Sequence, residues 1–290
     1  MSIEPSSTLD AHVHFWRYDP VEYAWIDDSL AALRRDFMPE DAAARMRAAR
    51  VGGCIAVQVR QTLEETRWLL ELAAEYPFIE GVVGWVDLRA PDFDAQLRGL
   101  TANRRLVGIR HIVQSEADGF LRDASFRRGV ARLARYGLTY DILVYARQLP
   151  EAIEFAAALP EARLVLDHLG KPDIRGGGFD GWRRDFDRLA ALPHVTAKLS
   201  GLVTEADWRR WRVDDIHRYI GAALDSFGPE RLMIGSDWPV CTVAAEYAAV
   251  LGVVHTALAA RTPAERQAVL GGTARRFWNL PDVSSLEHSI

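Results

Sequence analysis

Cysteine is scarce in this 290-residue chain: Cys54 and Cys241 lie far apart, each inside an apolar stretch. Two such residues read as buried free thiols, which excludes a disulfide-stapled scaffold and suits a reducing, cytoplasmic setting. Lysine is nearly absent as well, with Lys171 and Lys198 set against many arginines, and the formal net charge is −5. The arginines alternate with acids, as in Arg183, Arg184, Asp185, Asp187 and Arg188. They read as solvated helix faces rather than a basic stripe, so a nucleic-acid partner is not expected. No run is long and apolar enough to span a membrane, and Met1 to Thr8 lacks the basic start and apolar stretch of a signal peptide. No Gly/Ser/Pro-rich linker divides the chain, and Gly176-Gly177-Gly178 reads as a flexible loop.

What is present is a core-forming composition, 49% hydrophobic, laid out in a regular alternation. Eight short β-branched runs are expected as strands: Leu9–Phe15, Cys54–Val59, Gly81–Leu88, Leu106–Val113, Thr139–Val144, Arg163–Leu169, Val195–Leu199 and Leu232–Ser236. Helical patterns separate them. Thr62-Leu63-Glu64-Glu65 reads as a capping box opening a helix to Tyr76, with Leu63, Leu70 and Ala74 on its apolar face. Thr262-Pro263-Ala264-Glu265 repeats the device with proline at the first helical position. Gly137 is placed to end a helix from Asp123 with a left-handed cap. Strand and helix alternating eight times predict an α/β fold, a (β/α)8 barrel, as one domain over 1–290 with loose tails at 1–7 and 282–290. The segment Trp16 to Phe37 is a long first loop that could cover the barrel mouth.

Active sites of such barrels are built at the C-terminal ends of the strands. Those ends carry His12 and His14, Gln58 and Arg60, Trp85 and Asp87, Arg110 and His111, Asp141, Asp167 and His168, Lys198 and Ser200, and Asp237 and Trp238. Burying so many polar groups unpaired would cost about 1–3 kcal/mol each. In Asp10-Ala11-His12-Val13-His14, strand alternation sends both histidines to one side and Ala11 and Val13 to the other. Two imidazoles so placed can grip a divalent metal or donate jointly to one substrate oxygen. His168 and Asp237 are read as further site residues, although an Asp entering a loop can also cap a turn. Arg110 and His111 stand between substrate contact and a structural network, and Lys198 between catalysis and an interior pair with Asp141. His194, His217, His255 and His288 read as structural or solvent-facing. Trp16, Trp25 and Trp238 flank the expected mouth, where an aromatic face can stack on a sugar ring or close a pocket.

His-x-His on the first strand, a histidine ending the sixth and an Asp ending the eighth resemble the amidohydrolase superfamily. The stretches Asp10 to Trp16 leading to Tyr23-Ala24-Trp25-Ile26, Gly108-Ile109-Arg110-His111 with Gln114, Asp167-His168-Leu169-Gly170-Lys171-Pro172 and Lys198-Leu199-Ser200-Gly201 are similar to its sugar-lactonase branch. That branch contains L-fuconolactonases and L-rhamnonolactonases. Leu270-Gly271-Gly272-Thr273-Ala274-Arg275-Arg276-Phe277 is typical of the wider group, so the resemblance runs from Leu9 to about Leu280. It implies a carboxylic-ester hydrolase that opens a sugar lactone, best guess L-fucono-lactone. Asp237 would then activate water while His12, His14 and His168 polarise the carbonyl. Gln58, Arg110, His111 and Lys171 are expected to meet the sugar hydroxyls, with Trp25 and Trp238 against the ring.

The departures bear on the metal. Two-metal relatives carry a bridging lysine or glutamate at the end of the fourth strand and a further histidine after the fifth. Here those positions offer Arg110 and His111, and Asp141, and Lys198 belongs to the seventh strand, so a two-metal centre is not expected. A single zinc held by His12, His14, His168 and Asp237 fits the ligand chemistry. Related lactonases, by resemblance, work without a metal, and the sequence leaves both states open. The rival readings are a metal-dependent non-oxidative decarboxylase of the same superfamily and a sugar-binding barrel without catalysis.

Overall fold

The computed structural model describes residues 8–281, so the expected tails and His288 lie outside the described residues. Eight parallel strands follow one another around a single sheet in chain order. They are β1 (Leu9–Val13), β2 (Gly53–Val57), β3 (Ile79–Gly84), β4 (Leu106–His111), β5 (Thr139–Ile142), β6 (Leu164–Leu166), β7 (Val195–Leu199) and β8 (Leu232–Ile234). The helices that cover them are α1 (Pro39–Ala48), α2 (Leu63–Glu75), α3 (Phe93–Thr101), α4 (Ala124–Leu133), α5 (Leu149–Ala157), α6 (Phe179–Ala190), α7 (Val213–Phe227) and α8 (Tyr247–Ala257). Short helices α9 (Pro263–Gln267) and α10 (Thr273–Trp278) follow. The barrel closes just beyond β8, where His14 N donates to Trp238 O at 2.7 Å and Asp237 N to His12 O at 2.9 Å. This is the (β/α)8 barrel that the alternation predicts.

Most strands are shorter than their apolar runs suggest, because the last residues of β1, β3, β6 and β8 leave the sheet to build the mouth. β1 also shifts register against β2 between Asp10 and Val13. Ala11 and Val13, expected on one face, are thereby separated. Ala11 joins Leu9, Ile55, Val57, Val83, Val107, Val165 and Met233 in a small cluster with Ala274 and Trp278 of α10, while Val13 packs in the larger core. Trp278 Nε1 donates to Thr139 Oγ1 at 3.1 Å, so α10 closes the end of the barrel opposite the histidines.

The caps are more varied than the motifs. Thr262 and Glu265 form the full reciprocal box at α9. At α2, Thr62 Oγ1 accepts from Glu65 N at 3.1 Å, but the Glu65 carboxylate turns away to Val59 N and Arg60 N at 3.0 and 2.7 Å. The buried face of α2 is Leu69, Leu70, Leu72 and Ala73, and Ala74 is exposed, a rotation of part of a turn from the expected stripe. Asp123 caps α4 through Phe126 N at 2.7 Å, and Gly137 takes φ +71° after one further tight turn. Asp173 organises the expected flexible glycines into a turn, accepting from Gly176 N at 2.7 Å.

The first loop is pinned at its base, Trp16 and Phe37 exchanging backbone bonds of 3.0 and 2.9 Å. An ion pair of 2.7 Å between Glu22 and Arg60 fastens it to the end of β2. Both cysteines are buried and free. No helix among the described residues is long and apolar enough to cross a membrane.

Candidate active site

β1 supplies His12, His14 follows directly after it, and the closure bonds set Asp237 against them. Asp10, which the sequence reading left without a task, holds this seam. Its Oδ1 accepts from His12 N at 3.1 Å and Ser236 N at 2.8 Å, and its Oδ2 from Tyr247 OH at 2.9 Å. Burial pushes its carboxyl up to about 6 against those bonds.

His14 Nδ1 lies 2.7 Å from Val57 O, which can only accept, so the proton of the neutral ring is on Nδ1 and Nε2 carries a lone pair. That lone pair faces His12 Nε2 at 3.2 Å and Asp237 Oδ1 at 3.3 Å. His12 Nε2 and His168 Nε2 stand 3.8 and 3.9 Å from the same oxygen. Burial, reinforced for His12 by Lys198, lowers His12 well below the usual imidazole range and takes His168 down to about 4. For Asp237 burial works the other way, but the surrounding histidines, His168 first, hold its carboxyl well below the usual carboxylate range. His12 and His168, both held neutral, therefore flank an ionised carboxylate.

The local backbone explains how these side chains converge. His168, Leu169, Gly170 and Lys171 have φ of 53, 51, 71 and 47°, a left-handed turn directly after β6. Asp237 follows β8 at φ 59°. Left-handed conformations cost L-residues roughly 1–2 kcal/mol each and gather at functional sites. Gly201, at φ +63°, makes room for the turn: a Cβ there would lie 2.6 Å from His168 Nδ1. Ser200 Oγ anchors the same nitrogen at 2.8 Å.

Below the histidines lies a layer of buried charge. Lys198 Nζ reaches Asp141 Oδ2 at 2.5 Å, Asp167 Oδ1 at 2.9 Å and His12 Nδ1 at 3.2 Å, which makes it the interior partner of Asp141. Arg110 Nη1 reaches Asp167 Oδ2 at 3.1 Å and His12 Nε2 at 3.2 Å. Its Nη2 donates to the carbonyl and amide oxygens of Gln58. Burial pushes Asp141 up to about 6 despite Lys198, while Lys198, His12 and Arg110 overcome burial to hold Asp167 well below the usual range.

Several expected ligand contacts are placed differently. Gln58 is fully buried, with its amide oxygen on Arg110 and its nitrogen on Arg110 O, so it supports the arginine instead of meeting a ligand. Both Arg110 amino nitrogens are engaged within this network. His111 uses both ring nitrogens, with Trp85 Nε1 at 3.3 Å and Glu116 at 2.8 Å, and stacks on Phe120. Trp238 has no exposed surface and packs edge-on against Phe15 and Phe37, because the left-handed Asp237 turns the next residue into the core. Trp16 is buried as well, leaving Trp25, 43% exposed, as the loop's open aromatic face. Lys171 pairs with Glu205 at 3.5 Å and lies over the Tyr145 ring at 5.4 Å. Nothing in the spacing signals Glu205 or Tyr145. His194 and His217 bond to carbonyl oxygens away from the site.

The amidohydrolase family model matches residues 9–280. The chain belongs to the amidohydrolase family. It is 47% identical to an L-fucono-1,5-lactonase of Burkholderia multivorans over 94% of this chain and 96% of that one. An L-fucono-1,5-lactonase of Burkholderia ambifaria is 35% identical over 97% and 98% of the two chains. A crystal structure of a Burkholderia multivorans amidohydrolase with bound zinc superposes with a TM-score of 0.92 at 47% identity, covering 94% of this chain and 99% of that one.

A metal fits the geometry of this family member. His12, His168 and Asp237 offer ligand atoms within 4.8 Å of one another, and His14 Nε2 lies among them. Tetrahedral zinc, with bonds near 2.0–2.1 Å, sets its ligand atoms about 3.3 Å apart. The 3.2 and 3.3 Å separations around His14 Nε2 meet that spacing. The partners of the far nitrogens, Val57 O for His14 and Ser200 for His168, fix the ring orientations as outer-sphere contacts do in metal sites.

Proposed function

We propose that this chain hydrolyses a sugar lactone, with L-fucono-1,5-lactone as the leading substrate, to the open-chain aldonate. The reading rests on one observation: an ionised Asp237 at the opening, framed by His14 and His168, in a chain 47% identical to an L-fucono-1,5-lactonase over nearly its whole length. Asp237 accepts a proton from water as the water oxygen attacks the lactone carbonyl carbon. Charge gathers on the carbonyl oxygen and requires a donor aimed at it. His168 supplies one when Ser200 donates to Nδ1 and the ring proton sits on Nε2. Collapse breaks the bond to the ring oxygen, Asp237 returns the proton to that oxygen, and the aldonate ionises, so one lactone and one water yield one aldonate and one proton.

The role first assigned to the histidines divides. His12 has no exposed surface and lies beneath the others, so it acts through its neighbours. His14, with Nδ1 turned to Val57 O, directs Nε2 toward Asp237. His12, His14, His168 and Asp237 would hold one zinc ion; His168 Nε2 would then give its lone pair to the metal with the ring proton on Nδ1 toward Ser200, and the zinc would polarise the carbonyl in place of that imidazole. Trp25 presents the open aromatic face for the sugar, and Lys171, beside His168, a cationic donor for its hydroxyls.

Acid release followed by a pH indicator on L-fucono-, L-rhamnono- and L-galactono-lactones, with and without chelator, tests the reading. L-Fucono-1,5-lactone is expected to be turned over fastest. Activity abolished by chelator and restored by zinc makes the metal essential, and activity that survives chelation makes it dispensable. No acid from any lactone overturns the substrate class.

A further inference from the structure

The His12 nitrogen that faces His14 and Asp237 already has a cation on it. Arg110 Nη1 sits 3.2 Å from His12 Nε2, the same nitrogen that stands 3.2 Å from His14 Nε2 and 3.8 Å from Asp237. A guanidinium has only donors, so this contact makes Nε2 the acceptor and places the ring proton on Nδ1, 3.5 Å from Asp167 Oδ1. The guanidinium is held there firmly: Nη1 is shared with Asp167 at 3.1 Å, Nη2 is fixed by Gln58, and the residue is buried. Lys198 Nζ approaches the opposite nitrogen of the same ring at 3.2 Å. His12 is thus bracketed by two fixed positive charges, while His14 and His168 have none on their cleft-facing nitrogens among the described contacts.

We propose that Arg110 is a resident occupant of the metal-ligand cluster, and that a divalent ion must displace its guanidinium from His12 before the full ligand set can form. The chain therefore binds zinc more weakly than three histidines and a carboxylate would by themselves. Arg110 is in this sense a positioning and gating residue, acting on His12. The inference rests on the zinc reading of the cluster but not on the substrate, since acid release tests the lactonase proposal and zinc affinity tests this one.

The experiment titrates Zn2+ alone into the full-length chain, stripped beforehand with chelator, in competition with a chromogenic zinc chelator. Arg110→Met removes the occupant and is expected to tighten zinc about tenfold or more, the equivalent of one charge-assisted hydrogen bond expressed as affinity. Arg110→Lys keeps a charge but loses the forked reach to His12, and it too is expected to bind zinc more tightly than wild type. A Met variant that binds zinc no tighter, or a wild type and variant that both fail to bind, overturns the proposal. A Lys variant indistinguishable from wild type reduces Arg110 to a background charge and overturns the displacement. Should the substitutions prevent folding, the zinc-loaded wild-type crystal structure decides. Zinc on His12 Nε2 with Nη1 moved out of hydrogen-bond distance supports the proposal, and Nη1 still on that nitrogen in the loaded protein overturns it.

Discussion

Two assemblies of buried charge, at opposite ends of the barrel, use the same residue types to different ends. At the closed end, Arg275 of α10 meets Glu80 of β3 through two parallel bonds of 2.6 and 2.9 Å, and both carboxylate oxygens are satisfied. Beneath the histidines, Lys198 and Arg110 share Asp141 and Asp167 unevenly: Asp141 Oδ1 has no partner and both cations reach past the acids to His12. A carboxylate matched on both oxygens by one guanidinium gives geometry and no reactivity. A network left open at one histidine transmits its charge to the cleft. The difference marks one end as structural and the other as the site.

The comparison breaks most visibly at Asp237. Asp237→Asn removes the proton acceptor but keeps the shape, so turnover of L-fucono-1,5-lactone is expected to fall by about 10²–10⁴, the usual worth of a positioned base. Circular dichroism and the thermal midpoint should stay near wild type. A fall of less than tenfold would take the base from Asp237.

Lys198 sharpens the contrast in stability. Lys198→Met strands the buried Asp141 and leaves Asp167 to Arg110 alone, and is expected to cost about 3–5 kcal/mol in urea unfolding, the penalty for breaking a buried pair from one side. Arg275→Met leaves a single, partly accessible Glu80 and should cost less. Adding Asp141→Asn to Lys198→Met should recover part of the loss, whereas an equal loss for both single variants would erase the distinction between the two ends.

Much of this was legible in the chain. The alternation of apolar runs and helix caps gave the barrel, and the strand-end rule brought His12, His14, His168 and Asp237 to one face. What escaped depends on backbone torsion and on contacts remote in sequence. No spacing rule announces the left-handed run from His168 to Lys171, and Trp238 was read as pocket wall because the turn at Asp237 is equally silent. The network around Arg110 escaped because its partners, Gln58, Asp167 and His12, are distant along the chain. Asp10 stood in the motif, but its task required the β1–β8 seam.

Two glycines provide the finest test of whether strain at the mouth serves function. Gly201 and Gly137 both hold positive φ, 63 and 71°, so alanine at either should cost roughly 1–2 kcal/mol from backbone strain. Their surroundings differ. A Cβ at Gly137 meets nothing within 4 Å, whereas one at Gly201 would press on the His168 ring at Nδ1, Cγ and Cβ. Gly137→Ala should therefore lower the thermal midpoint and leave kcat unchanged. Gly201→Ala should lower the midpoint similarly and also reduce kcat by about 10- to 100-fold, because an ångström of displacement at a reacting group is enough for such a loss. Equal kcat in the two variants would mean that the His168 ring tolerates the push and that its placement is not tuned. A selective loss at Gly201 would tie the missing side chain to the position of the imidazole, and the strain of that turn to catalysis.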